Sequence, residues 1–129
     1  DKALKDKIAE EGTCQFSKNM KNIQSAAALI ILTTVDGISG YDPEGTPTTP
    51  KGSHWQSFDA GIACQTFCLA AHGLGFGTLI MGIFDEAKIR ELISLPEGES
   101  ISALIAVGYA DEAPNQRPRK DTAELLQIL

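Results

Sequence analysis

The chain has 129 residues, 43% of them apolar and 22% charged, with a net charge of −6 and an isoelectric point near 4.8. That length and balance suit one globular domain with a sizeable core. The acidic surplus argues against collecting nucleic acid or anionic lipid by bulk electrostatics, which needs Lys and Arg to neutralise phosphates, so each basic residue matters by its position.

The first residues, DKALKDKIAEEG, lack the apolar stretch of a signal peptide and also an initiator Met, which leaves room for an earlier segment. Leu4 and Ile8 recur at helical spacing among Lys, Asp and Glu, and Gly12 follows as a stop, so residues 2–11 are predicted to form a short amphipathic helix. The run SAAALIILTTV, residues 25–35, is apolar and β-rich towards its end. It predicts a strand covered on both faces, placed at the centre of a sheet. Residues 36–54 carry four glycines and three prolines with no apolar period, which predicts a long loop, of a length that is usually functional or mobile.

The stretch from Trp55 to Asp85 is the most informative. A helix with scarcely any charged side has no water-facing side and is expected to be buried all round, which in a small protein points to a second subunit. Ala60, Gly61, Ala63, Ala70 and Ala71 would let another backbone approach closely, while Phe58, Ile62, Phe67 and Leu69 supply burial. Each large apolar side chain is worth about 1.5–3 kcal/mol when buried, so the helix is expected to pack on its twofold mate. Gln65, Thr66 and His72 interrupt it, and no apolar run reaches the ~20 residues of a bilayer span. Gly73, Gly75 and Gly77 follow a helix and precede a strand, the reverse of a dinucleotide-binding turn. They predict a helix C-cap at positive φ instead.

Gly77 to Gly82 then reads as a short strand, and Asp85 caps a helix that has Glu86 in its first turn and ends at Leu95-Pro96-Glu97-Gly98. Residues 101–110, ISALIAVGYA, form another buried strand. The basic tail APNQRPRK and a last short helix over residues 121–129 follow.

Cys64, Cys68 and His72 share one stripe of the long helix, but the outer two lie ~12 Å apart, too far for one ion. A pair with a further partner would suit zinc, but free Cys packs well as a small apolar residue and that reading is preferred; no metal site is expected. The three cysteines are an odd number and two sit inside a helix, a usage that fits a reducing cytoplasm. No Ser-His-Asp set is evident, and His54 beside Trp55 is either a pocket residue at the loop mouth or a solvated one. On spacing alone, Arg117, Arg119 and Lys120 are either a local phosphate site or a solvated tail.

Taken together, Trp55 with FDAGIACQTFCLAAHGLGFGTLIMGIFD, then KIRELISLPEG, ISALIAVGYADEAP and RPRK, resemble the nitroreductase family in order and separation. The resemblance implies an α+β fold, a central mixed sheet flanked by helices, assembled as an intertwined homodimer with FMN at the subunit interface. It implies hydride uptake from NADH or NADPH and ping-pong reduction of a small acceptor such as a nitroaromatic or a quinone. By position, Ile80, Met81, Gly82 and Ile83 would lie beside the isoalloxazine with backbone groups facing it, and Arg117, Arg119 and Lys120 would grip the FMN phosphate. An absence of acid–base motifs is then expected, because the flavin carries the chemistry. Family members also begin with a helix, an Arg-Ser-x-Arg segment and an Asn-containing helix start. None of these precedes Asp1, so one N-terminally incomplete domain over residues 1–129 is expected. The alternative is a non-catalytic dimeric flavin- or nucleotide-binding module with a degenerate site.

Overall fold

A computed structural model describes residues 1–111, 115 and 117–128. Helices α1 (Lys2–Glu11) and α2 (Ser17–Ser25) lead into strand β1 (Ala28–Val35). The long loop and helix α3 (His54–Gly73) follow, then β2 (Gly77–Met81), α4 (Glu86–Ile93), β3 (Glu99–Gly108) and the short α5 (Thr122–Leu125).

The three strands form one antiparallel sheet in the order β1-β3-β2. Period-two alternation sorts its side chains between two layers. The rows Ile31–Leu104–Met81 and Leu29–Ala106–Leu79 share one face, and Leu29, Ile31, Met81, Leu104 and Ala106 join the core built with α1, α2 and α4. The intervening row Ile30–Ile105–Ile80 lies on the opposite face, over which α3 crosses the strands. Leu104 and Ile105 in the middle strand are almost wholly enclosed, so both layers meet at β3.

The predicted helix over residues 2–11 forms where expected, with the Asp1 carboxylate accepting from Leu4 N at 3.1 Å and Gly12 as its C-cap. Two expectations need correction. The apolar run of β1 is an edge strand rather than a central one, because β3 takes the middle position; a continuous apolar run records coverage of its faces and not which neighbours bond to its edges. The strand also begins at Ala28, since α2 runs on through Ser25. Helix α2 itself is unmarked by the sequence pattern, with only Met20 and Ile23 as large apolar residues among Ser, Lys, Asn and Gln.

Helix α3 ends as the glycines predict. Gly75 takes φ +84°, its N–H donates to His72 O at 2.9 Å, and the Phe76 N–H reaches Ala71 O at 2.9 Å, the paired bonds of a Schellman cap. Within one chain α3 is not buried all round. Ala60, Cys64 and Ala71 are enclosed against the sheet, while Phe58, Ile62 and Leu69 are more than half exposed. Asp85 caps α4 by accepting from Lys88 N at 3.1 Å. Of the basic tail, residues 113, 114 and 116 lie outside the described residues, as does residue 129 of the predicted last helix, which is confined to Thr122–Leu125.

Candidate functional site

Past the last ladder pair, Met81↔Leu104, the chain runs from Gly82 to Asp85 before α4 begins. Two hydrogen bonds fasten this connection to the α1–α2 unit. Asn19 Nδ2 donates to Ile83 O at 3.0 Å, and Asp85 N donates to Gly12 O at 2.8 Å. Met81 points its side chain into the core and is 3% exposed, so it can offer a ligand only its backbone. Ile80 and Ile83 are each half exposed, and a Cβ built on Gly82 between them would meet nothing within 4 Å. The four predicted residues therefore form a ledge of two apolar side chains around a bare stretch of main chain. Such a ledge suits a flat, largely apolar ring, which gains from contact with aliphatic carbon while its polar edge meets peptide groups.

Beside the ledge, a cavity of about 480 Å³ opens between α3 and the sheet, bounded by Ile80, Leu32 and Ala103 below and by Ala60, Gly61 and Cys64 above. Its rim holds a polar network that no sequence pattern signals. Gln56 Nε2 donates to Thr34 Oγ1 and to Asp36 Oδ1, both at 2.7 Å, and Ser100 Oγ reaches the two Asp36 oxygens at 2.7 and 2.9 Å. Thr34 and Ser102 join by their hydroxyls at 3.3 Å. The Ser100 hydroxyl, with Gln56 second, holds the Asp36 carboxyl below its ordinary pKa. A carboxylate whose folded pKa is depressed adds stability above its unfolded pKa and loses it as pH falls through the folded value. Ser100→Ala is therefore expected to lower stability at pH 7 but to bring no comparable loss near pH 3, as measured by urea unfolding at both values.

Cys64 sits in the cavity wall, where burial raises its thiol pKa, so the thiolate that would make it reactive is scarce at neutral pH. Cys14, Cys64 and Cys68 are unpaired, and the described residues contain no cluster of three or more His, Cys, Asp or Glu groups fit to hold a metal. Among the described residues no helix is long and apolar enough to cross a membrane.

The loop before α3 folds back on the helix it feeds. The Trp55 indole N–H donates to Thr49 Oγ1 at 2.7 Å, Lys51 Nζ lies 4.5 Å from the Trp55 ring centre, and Ser39 Oγ donates to Asp59 at 2.5 Å. A lone antiparallel bridge between Tyr41 and Pro47 narrows its tip. His54 is the exposed first residue of α3.

Arg117, Arg119 and Lys120 are exposed and make no hydrogen bond or ion pair among the described residues. The register places Gly108 opposite Gly77, so the tail leaves the sheet at the end of β2 remote from Gly82. At ~3.3 Å per residue the ledge lies about 17 Å from that exit. The nine residues from Gly108 to Arg117 can span up to about 30 Å. Among the described residues no hydrogen bond or ion pair joins Arg117, Arg119 or Lys120 to the ledge.

Helices on both faces of a small antiparallel sheet, with an open ledge at one strand end, define an α+β domain with a surface cleft. The sequence pattern of the nitroreductase family matches residues 3–109, and the chain belongs to that family. An NADPH-flavin oxidoreductase of Vibrio harveyi is 27% identical over 108 residues, covering 81% of this chain and 45% of that protein. Among solved structures, a nitroreductase family protein from Streptococcus pneumoniae superposes with a TM-score of 0.81 at 19% identity, over 99% of this chain and 76% of that one. The NADPH:FMN oxidoreductase of Vibrio harveyi, solved with NAD+, gives 0.73 at 21% identity over 99% and 55%. These two likenesses establish the nitroreductase-like fold. The chain spans less than half the length of the curated relatives it matches.

Proposed function

We propose that this domain belongs to an FMN-dependent oxidoreductase that takes hydride from NADH or NADPH and reduces a small acceptor, a nitroaromatic or a quinone. The observation that carries this reading is the ledge at Ile80, Gly82 and Ile83, where an added Cβ at Gly82 would fill open space. The residues present fit a flavin: a flat ring has room to approach the main chain at Gly82, and exposed Arg117, Arg119 and Lys120 supply charge for its phosphate. When bound, FMN supplies the hydride chemistry. The protein's part is to hold the ring against Ile80 and Ile83, to aim main-chain groups at its polar edge, and to hold the anionic end by guanidinium forks. The setting is the reducing cytoplasm, in keeping with the three unpaired cysteines.

The same reading assigns the outer face of α3 to a second copy of the chain. Phe58, Ile62 and Leu69 flank a shallow groove of about 480 Å³, an apolar surface of the kind that marks an interface. The reading also assigns the basic tail, which leaves at the far end of β2, to a ledge of the assembled dimer. Ile62→Lys is expected to shift the protein from dimer to monomer in sedimentation velocity at micromolar concentration; an unchanged sedimentation coefficient contradicts this assignment.

The activity is tested by mixing the purified protein with FMN, removing excess by desalting and reading flavin absorbance. The expected result is about one FMN retained per chain and NAD(P)H oxidation that gives parallel double-reciprocal lines with a quinone acceptor. Protein that emerges colourless overturns the reading. Retained FMN without turnover would favour a non-catalytic flavin-binding module.

A further inference from the structure

Asn19 and Thr13 are the buried polar residues among the described part of the chain. Thr13, just past the end of α1, is satisfied locally, its hydroxyl donating back to Ala9 O of that helix at 2.8 Å. Asn19 is different. The residue is 7% exposed, and its side-chain bond leaves α2 for a main-chain carbonyl 64 positions away, at Ile83. Burying an amide is unfavourable unless it is bonded, and an apolar residue at this place would avoid that cost. The bond therefore marks a carbonyl whose direction matters.

The ledge explains why. Gly82 has no side chain to fix its conformation and is the residue type with the widest backbone freedom. It lies between two anchors. On one side Met81 is held by its ladder pairing with Leu104, and on the other Ile83 is held by Asn19. The Asp85 N–H bond to Gly12 O secures the next turn of chain on the same α1–α2 unit. Resting on the flavin reading above, we propose that Asn19 is a positioning residue: from behind the ledge it fixes the Gly82–Ile83 main chain in the orientation that receives the ring of the cofactor. It touches neither cofactor nor substrate and acts through the Ile83 carbonyl.

The test compares Asn19→Leu, which keeps side-chain volume and removes the donor, with Asn19→Ala and with the control Thr13→Val. The control removes a buried hydrogen bond from the same α1–α2 unit, next to the Gly12 anchor, and leaves the Asn19–Ile83 bond in place. Amide hydrogen exchange is read in the flavin-free protein, and FMN affinity is read by fluorescence titration. Both Asn19 variants should exchange the amides of Gly82, Ile83 and Phe84 at least about 10-fold faster than wild type and bind FMN about 10-fold more weakly, while Thr13→Val changes neither by more than about twofold. Unchanged exchange at these amides in Asn19→Leu overturns the proposal. Faster exchange with unchanged FMN affinity overturns the link to the cofactor. Wild-type protein that does not bind FMN sinks the flavin reading itself, whatever the exchange shows.

Discussion

Arg119→Ala is expected to weaken FMN binding by about 10- to 100-fold, because a charge-assisted hydrogen bond to phosphate is worth about 1.5–3 kcal/mol. The side chain is exposed and bonded to nothing among the described residues, so its loss should leave folding stability within about 0.5 kcal/mol of wild type. Separation of the two quantities is the point of the experiment. Arg117→Ala should act in the same direction, and Arg119→Lys should recover part of the affinity, since Lys restores the charge but not the planar fork. Fluorescence titration of FMN alongside thermal unfolding checks both halves. An unchanged dissociation constant in Arg119→Ala would remove the phosphate role and return the tail to a solvated segment.

Leu104→Ala carries the largest expected effect on stability. Leu104 is fully enclosed in the middle strand, between Ile31 and Met81 in the ladder and under the core shared with α1, α2 and α4. Removing it leaves a cavity that neighbours on two strands and three helices cannot all relax to fill, for a cost of about 3–5 kcal/mol. Typical domains have only about 5–15 kcal/mol in total, so the variant should unfold at markedly lower urea and be partly unfolded at physiological temperature. Leu79→Ala, on the same sheet face but in the edge strand and nearly half exposed, should lose less than about 1.5 kcal/mol. Equal losses in the two variants would mean that β3 is not the centre of the core.

Local signals in the sequence are those that survive in the fold. The N-cap at Asp85, the Schellman turn at Gly75 and the helix after Asp1 each depend on a few adjacent residues, and each forms where its residues ask for it. Strand order is not local. The runs that become β1 and β3 are both continuous and apolar, and only the pairing of residues some seventy positions apart, Ala28 with Val107 to Val35 with Glu99, decides which lies in the middle. Helix α2 escapes notice because its stability comes from Asn19 and Ile23 packing on distant elements rather than from a broad apolar stripe.

The candidate site divides along the same line. The segment Ile80–Ile83 and the basic tail were nameable as candidates through the family resemblance, which reports residues in sequence order. Asn19 and the Asp36–Gln56–Ser100 network were not, since nothing about a lone Asn in a polar helix, or a Gln in an apolar one, predicts a partner on another element. The exposed face of α3 is the clearest instance of a sequence reading that one chain cannot contain. A helix without a polar side has a sheet on one flank and Phe58, Ile62 and Leu69 open on the other.

Whether the ledge at Gly82 receives a redox-active flavin is decided by anaerobic reduction of the FMN-loaded protein. Addition of NADH or NADPH should bleach the flavin absorbance, and later addition of a quinone should restore it. Flavin that stays oxidised with both nicotinamides would contradict the account.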